Sequence, residues 1–167
     1  MSEILLQARR FTVVRETQTT ADGKALTRDV VRHPGAVTIL PMVDDEHVCL
    51  LRQFRISVNR WLIELPAGTL EPNEPPELTA GRELIEETGY TASNLEFLHA
   101  FLLSPGILDE QMHLFRATGL TLGSTAREEG EEIENLVVSL AEARRMIYRG
   151  EIQDAKTIVG LLWGLGE

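Results

Sequence analysis

Short apolar runs separated by polar turns fill the first two thirds of the chain and predict a largely β structure there. Residues 3–18 and 26–33 are rich in β-branched side chains, and the Ala-Asp-Gly-Lys turn at 21–24 between them predicts a small N-terminal hairpin or sheet. Further strands are predicted at 36–43, 47–54, 61–65, 95–103, 113–117 and 136–138.

The segment from Pro75 to Gly89 predicts the first helix. Prolines at 75 and 76 suit a first turn, where no intrahelical hydrogen bond is lost, and Gly89 suits a left-handed end. At about 100° per residue, apolar and small side chains gather on one side of this helix, which predicts the face that packs on a sheet. The predicted packing face consists of Leu78, Gly81, Leu84 and Ile85.

Two further helices are predicted near the C-terminus. Ser139 and Glu142 form a capping-box pattern that begins a helix ending before Gly150, and Asp154 caps a final apolar helix through Leu165. Strands and helices are mixed without regular alternation, which favours the α+β class. At 167 residues, the chain is long enough for one domain with a sizeable core.

Composition and charge exclude several classes of protein. The formal net charge of −10 argues against a basic nucleic-acid-binding surface, so no nucleic-acid partner is expected. No apolar run approaches the ~20 residues that a membrane span needs, and the first residues lack a secretory pattern. The single cysteine, Cys49, cannot form an internal disulfide and lies in an apolar run, so we expect a buried thiol and a cytoplasmic protein.

An acidic cluster on the first predicted helix is the strongest candidate for chemistry. Glu83, Glu86 and Glu87 stand at i, i+3 and i+4, so their carboxylates share one face of a helix. Like charges at this spacing destabilise a helix, and a hard divalent cation such as Mg²⁺ would offset the repulsion. The alternative interpretation is an ordinary solvated helix face.

The segment from Gly68 to Tyr90 resembles the Nudix box, Gly-x5-Glu-x7-Arg-Glu-U-x-Glu-Glu-x-Gly-U, in which U is a bulky apolar residue. The match is specific, and only Tyr90 departs from it, being aromatic where an aliphatic residue is usual. The box positions are filled by Gly68, Glu74, Arg82, Glu83, Leu84, Glu86, Glu87, Gly89 and Tyr90.

This resemblance implies an α/β/α sandwich around a mixed sheet, with an N-terminal β region at 1–34 and a hydrolase domain at 35–167. It also implies a Mg²⁺ site, which Mn²⁺ could occupy instead. Arg82 is expected to orient a carboxylate, and Glu86 is expected both to bind metal and to take part in catalysis. The implied metal ligands are Glu83, Glu86, Glu87 and the carbonyl oxygen of Ala67.

Motifs outside the box resemble the ADP-ribose pyrophosphatase branch of the Nudix hydrolases. They are Arg-Gln-Phe-Arg at 52–55, Glu-Leu-Pro-Ala-Gly at 64–68, Ser-Pro-Gly at 104–106 with Glu110 behind it, and an acidic loop at 129–133. These matches imply that Arg28 and Arg55 hold the phosphates or terminal ribose of a substrate, with Arg52 as an alternative. Glu110 is implied near the substrate or metal.

The branch resemblance also implies a general base on the acidic loop, at Glu129 or Glu131, because a carboxylate there could take a proton from the attacking water. Trp61 either stacks on adenine or packs in the core or at a dimer contact. The expected protein is a homodimer whose N-terminal strands contribute to the partner's site.

The activity that the resemblance implies is hydrolysis of a nucleoside diphosphate derivative, with ADP-ribose giving AMP and ribose 5-phosphate. A nucleotide sugar such as GDP-mannose and flavin adenine dinucleotide are alternative substrates. A non-catalytic nucleotide-sensing module is a second class of function, which the complete set of three glutamates argues against.

Overall fold

The structure is a computed structural model that describes residues 2–125 and 132–164. Its ten strands are β1 (Ser2–Gln7), β2 (Thr12–Thr19), β3 (Ala25–Arg32), β4 (Ala36–Pro41), β5 (His47–Arg55), β6 (Arg60–Glu64), β7 (Ala67–Thr69), β8 (Tyr90–Leu102), β9 (Gln111–Leu122) and β10 (Ile133–Ser139). Its helices are α1 (Pro76–Glu83), which continues as a π-helical turn (Leu84–Thr88), α2 (Leu140–Tyr148) and α3 (Ala155–Gly164).

The first three strands form a separate antiparallel sheet in the order β1-β2-β3. Arg15 of β2 lies opposite Asp29 of β3, and its guanidinium donates two hydrogen bonds, of 2.8 and 3.0 Å, to the Asp29 carboxylate. Opposite charges at facing positions support the register of the hairpin. The small N-terminal sheet is therefore confirmed, whereas a domain boundary at residue 34 stays a prediction.

A four-stranded mixed sheet in the order β7-β4-β9-β8 forms the centre of the fold. Strand β4 is buried along its whole length and pairs in parallel with β9. Val37 and Ile39 point towards α1 and pack with Leu84, whereas Leu40 points to the opposite side and packs among residues of β5, α2 and α3. The sheet therefore has a helical layer on each side.

The second side of the core also contains a three-stranded sheet in the order β10-β5-β6. Its strand β5 supplies the buried residues Val48 and Leu50 to the cluster formed by α2 and α3. The α+β class and the helices on both sides of a mixed sheet are thus confirmed. Within the described ranges, no helix is both long and apolar enough to cross a membrane.

The predicted packing face of the first helix is confirmed at Leu84 and Gly81 but not at its other two positions. Ala80 and Leu84 are buried against β4 and β9, but Leu78 is 63% exposed and Ile85 is 37% exposed, so the prediction was wrong for these two residues. Leu78 lies two residues before Ala80, about 200° around the axis, and therefore points away from the sheet. Gly81 faces Leu95, and a Cβ on this glycine would lie 3.5 Å from the leucine side chain, which is an ordinary contact.

The ends of the predicted elements follow local signals closely. Gly89 has φ +79° and ends the π-helical turn, and the Ser139 hydroxyl accepts a hydrogen bond of 3.2 Å from the Glu142 amide at the start of α2. The strand after Gly89 begins at once with Tyr90, five residues earlier than predicted, because the chain pairs with β9 from that residue onward. The short strand β7 was not predicted.

Candidate active site

The acidic face of α1 borders a cavity of about 610 Å³. Three of its lining side chains are the glutamates Glu83, Glu86 and Glu87, and Ala67 and Gly68 of β7 line it beside them. This volume lies within the range that small-molecule sites occupy. The structure therefore brings the predicted glutamates to one cavity and not to bulk solvent.

Arg82 links the carboxylates at one end of this cavity. Its Nη1 donates hydrogen bonds of 2.8 Å to Glu83 and 3.0 Å to Glu86, while its Nη2 donates one of 3.2 Å to Glu74. The Glu74 carboxylate also accepts a hydrogen bond of 2.8 Å from the Thr79 hydroxyl. Burial by itself would lower the pKa of Arg82, but these carboxylates raise it above its ordinary value. The guanidinium thus reduces the like-charge repulsion on this face of α1.

Glu87 connects the helix to the strand across the cavity. Glu87 belongs to the π-helical turn, and only 5% of the residue is exposed. Its Oε2 accepts a hydrogen bond of 2.9 Å from the Ala67 amide. Thr88 closes the same turn by donating a hydrogen bond to the Leu84 carbonyl. The π-helical turn therefore presents Glu87 towards β7, where the backbone of Ala67 also lines the cavity.

Gly68 leaves the space that the Glu83 carboxylate occupies. A Cβ on residue 68 would lie 1.9 Å from both Cδ and Oε1 of Glu83, far inside van der Waals contact. Any larger residue would displace this carboxylate. The first glycine of the acidic motif is therefore explained by close approach of a functional side chain.

The donor set at this cavity fits a hard divalent cation. Carboxylate and carbonyl oxygens are the ligands that Mg²⁺ uses. Three carboxylate side chains and Ala67 line this one cavity. Among the residues that the structure describes, however, no three acidic, histidine or cysteine side chains converge closely enough to hold an ion as they stand. Arg82 donates to one oxygen of Glu83 and one of Glu86, and a carboxylate can accept at both of its oxygens, so these hydrogen bonds do not prevent either side chain from binding a cation.

Arg55 lines the same cavity and forms a bidentate ion pair with Glu64. Its Nε and Nη2 donate hydrogen bonds of 2.8 and 2.7 Å to the two Glu64 oxygens. Lys156, at the start of α3, also donates a hydrogen bond to Glu64. Burial of Glu64 would raise the pKa of its carboxyl, but the two cations outweigh this effect and lower the pKa to about 2.

This low pKa predicts how Glu64 contributes to stability as the pH changes. Because the pKa falls from 4.5 to about 2 on folding, the contribution is complete above pH 4.5 and is lost as the pH falls towards 2. We expect Glu64→Gln to lower the free energy of unfolding at pH 7 by about 3 kcal/mol, since it leaves two cations poorly paired. Urea unfolding at several pH values should show that the difference in unfolding free energy between the variant and the wild type becomes smaller below pH 4.5. A difference that does not change with pH would contradict the low pKa of Glu64.

Two arginines that the sequence analysis did not single out also line the cavity. Arg9 and Arg10 follow β1 and lie beside Pro34, and the same two residues border a second, smaller cavity of about 300 Å³ next to Arg32. They come from the turn between β1 and β2, far from the acidic motif in sequence. Only the position of the N-terminal sheet brings them there, so no local sequence pattern could have identified them.

The remaining predicted site residues lie away from this cavity or outside the described part of the chain. In the described part of the chain, Arg28 and Glu110 do not line this cavity: Arg28 is exposed on β3, and the Glu110 carboxylate lies 3.7 Å from His33. Their substrate roles stay predictions. Glu129 and Glu131, the predicted bases, lie outside the described residues.

An aromatic residue of β6, Trp61, and a cationic residue of β5, Arg52, contact each other away from this cavity. Trp61 is partly exposed, packs edge-to-face on Phe54 at 5.8 Å, and is covered by the Arg52 guanidinium at 4.7 Å. Arg52 also forms an ion pair of 3.3 Å with Glu134. Trp61 therefore contacts Phe54 and Arg52, and both its predicted roles, stacking on adenine and packing in the core or at a dimer contact, stay predictions. Cys49 is buried, as predicted.

Three glutamates of one helical segment and several arginines line one cavity beside a mixed sheet, an arrangement suited to a divalent cation and a phosphate-containing small molecule. The chain belongs to the NUDIX domain family, whose model matches residues 32–159.

The chain is 45% identical over 138 residues to an ADP-ribose pyrophosphatase of Bacillus subtilis (strain 168), covering 81% of this chain and 75% of that protein. It is 35% identical over 148 residues to a GDP-mannose pyrophosphatase of Citrobacter koseri, covering 78% and 77% of the two chains. The crystal structure of an ADP compounds hydrolase superposes with a TM-score of 0.84 at 25% identity, covering 96% of this chain and 88% of the other. Family, fold and pyrophosphohydrolase class therefore agree.

Proposed function

We propose that this protein hydrolyses the diphosphate bond of ADP-ribose to give AMP and ribose 5-phosphate. The observation that carries the proposal is the single cavity shared by Glu83, Glu86, Glu87 and the Arg55 side chain. A diphosphate needs both a set of hard oxygen ligands for its counter-cation and guanidinium donors for its free oxygens. The Bacillus subtilis relative, which carries the name ADP-ribose pyrophosphatase, supports the choice of substrate.

The residues that would hold Mg²⁺, or Mn²⁺ in its place, are Glu83, Glu86, Glu87 and the carbonyl oxygen of Ala67. When bound, the cation supplies charge neutralisation of the diphosphate and Lewis-acid polarisation of the phosphoryl oxygens. Arg82, which bridges Glu83 and Glu86, orients these carboxylates before the cation binds. The proposed base is a glutamate of the loop at 129–131, which takes a proton from the attacking water.

Arg55 is proposed to bind the phosphates, and this role predicts a specific kinetic change. We expect Arg55→Ala to raise KM for ADP-ribose about tenfold or more and to change kcat less, because a charge-assisted hydrogen bond contributes roughly 1.5–3 kcal/mol. Steady-state kinetics of AMP release would measure the two constants separately. An unchanged KM would remove Arg55 from the substrate site.

The experiment that tests the proposed function is a hydrolysis screen with identified products. ADP-ribose, GDP-mannose and flavin adenine dinucleotide are each incubated with the protein, with and without Mg²⁺. Release of AMP and ribose 5-phosphate from ADP-ribose only when Mg²⁺ is present is the expected result. Preferential turnover of GDP-mannose would favour the second candidate, which the Citrobacter koseri relative supports. Binding of nucleotide without turnover would instead favour a sensing module.

We also propose a homodimer in a reducing cytoplasm. The exposed N-terminal sheet carries Arg28, and a second copy is the partner that would bring this residue to an active site. The single, buried Cys49 suits a reducing compartment. Light scattering of the purified chain would measure its oligomeric state directly, and a monomer would leave Arg28 without this role.

A further inference from the structure

The Arg55 side chain is held in place by the residue at the end of the neighbouring strand. Arg55 is the last residue of β5 and Glu64 the last of β6, and their two parallel hydrogen bonds use the Nε and Nη2 edge of the guanidinium. Among the described residues, no hydrogen-bond partner is seen for Nη1 of Arg55, and the residue lines the cavity. A side chain fixed along one edge keeps the other edge for an incoming ligand.

A second cation, the Lys156 ammonium, contacts the same Glu64 carboxylate. Glu64 is 1% exposed and Lys156 7% exposed, and the Lys156 ammonium donates to Glu64 while lying 3.0 Å from Asp154. The chain has only two lysines, and the other, Lys24, is an exposed turn residue. Burying an ammonium is costly unless it is paired. Lys156 is therefore a buried cation held between two carboxylates, one of which also holds Arg55.

The charge balance suggests what the lysine does. If Glu64 were paired with Arg55 alone, its carboxylate would largely neutralise the Arg55 guanidinium. The pair would then attract a phosphate only weakly. With Lys156 also paired to Glu64, the Glu64 charge is divided between two cations, while Asp154, 3.0 Å from the ammonium, takes part of the Lys156 charge. The guanidinium of Arg55 then keeps more of its positive potential on the side that faces the cavity, while its orientation stays fixed.

We propose that Glu64 and Lys156 are positioning residues that set the orientation and the effective charge of Arg55 for diphosphate binding. This inference rests on the proposed function, because it assumes that Arg55 contacts phosphate. Glu64 supplies the geometry through its two hydrogen bonds. Lys156 supplies the compensating charge, although it never touches the substrate.

The test compares Lys156→Met with the matched surface variant Lys24→Met. We expect Lys156→Met to raise KM for ADP-ribose about tenfold while kcat stays within about threefold, because it would weaken the charge-assisted contact that Arg55 makes with the phosphates. Lys24→Met should leave both constants unchanged. Glu64→Gln, which keeps the side-chain shape but removes the charge, should also raise KM more than it lowers kcat. A variant set with unchanged KM would overturn the proposal.

A double-mutant cycle separates positioning from general structural support. In the Arg55→Ala background, the Lys156→Met change should no longer raise KM, because the side chain through which it acts is absent. An equal rise in both backgrounds would mean that Lys156 supports the site in some other way, and the proposal would fail. If neither Glu64→Gln nor Lys156→Met folds, as judged by circular dichroism, the two residues are core supports and the proposal is equally overturned.

A binding measurement keeps this result distinct from failure of the proposed function. Calorimetric titration with inorganic pyrophosphate and Mg²⁺ needs no turnover of ADP-ribose. Wild-type protein that binds pyrophosphate but does not cleave ADP-ribose would refute the substrate and leave the positioning test intact. About tenfold weaker pyrophosphate binding by Lys156→Met, with Lys24→Met unchanged, is expected; equal binding by all three proteins would refute the positioning role.

Discussion

Replacing Glu87 with glutamine is expected to lower AMP release from ADP-ribose about 1,000-fold in kcat, a loss of about 4 kcal/mol in transition-state stabilisation. Glu87 is nearly buried at the cavity wall, where its carboxylate accepts a hydrogen bond from the Ala67 amide. A neutral amide would remove one anionic oxygen from the proposed Mg²⁺ ligands, and electrostatic stabilisation at such a site is a large term in catalysis.

The fold should tolerate this change. The carbonyl oxygen of a glutamine at position 87 can still accept the hydrogen bond from the Ala67 amide, so the free energy of unfolding should change by about 1 kcal/mol or less. Steady-state kinetics and urea unfolding measured on the same preparation would separate the two effects. Isothermal titration with Mn²⁺ would add a third readout, with weaker binding expected in the variant.

Glu77→Gln is the matched control for this prediction. Glu77 lies in the first turn of the same helix but is exposed and lies outside the cavity lining. Removing its charge should leave kcat and KM near their wild-type values. Near-normal turnover by Glu87→Gln, or an equal loss in both variants, would reject the assignment of Glu87 as a metal ligand.

The sequence carried enough information to predict the acidic helix and the face that its three glutamates share. Glu83, Glu86 and Glu87 lie within five residues of one another, so their shared face depends only on local helix geometry. The ends of the elements were equally local: Gly89 adopts a left-handed conformation, and Ser139 caps α2. Such features need no knowledge of distant parts of the chain.

The features that the sequence could not reveal depend on packing. A π-helical turn stands where the last turn of the predicted helix was expected; in it Leu84 is buried and its carbonyl accepts a hydrogen bond from the Thr88 hydroxyl. The Glu64–Lys156 pair joins residues 92 positions apart. Arg9 reaches the cavity only through the placement of the N-terminal sheet. Each is a consequence of tertiary contacts, which periodicity does not encode.

The Gly68→Ala variant should lose activity while keeping its stability. A methyl group at this position would lie 1.9 Å from the Glu83 carboxylate, which is the flexible end of a side chain and can move away at little cost. Its displacement would take Glu83 out of the position from which it faces Glu86 and the cavity. A misplacement of about 1 Å at a catalytic group can reduce the rate by about 100-fold, and we expect at least that loss in kcat/KM.

A second glycine of the same segment provides the control. An alanine at Gly81 would make only an ordinary contact of 3.5 Å with Leu95, and alanine favours the helix by about 1 kcal/mol, so Gly81→Ala should remain active and become slightly more stable. Kinetics of AMP release and urea unfolding of both variants would check the pair of expectations. If Gly68→Ala instead retained wild-type turnover, the Glu83 carboxylate could not be required where the structure places it. If Gly68→Ala unfolded, the substitution would disrupt the backbone at residue 68, and the Glu83 carboxylate would not be the group that it displaces.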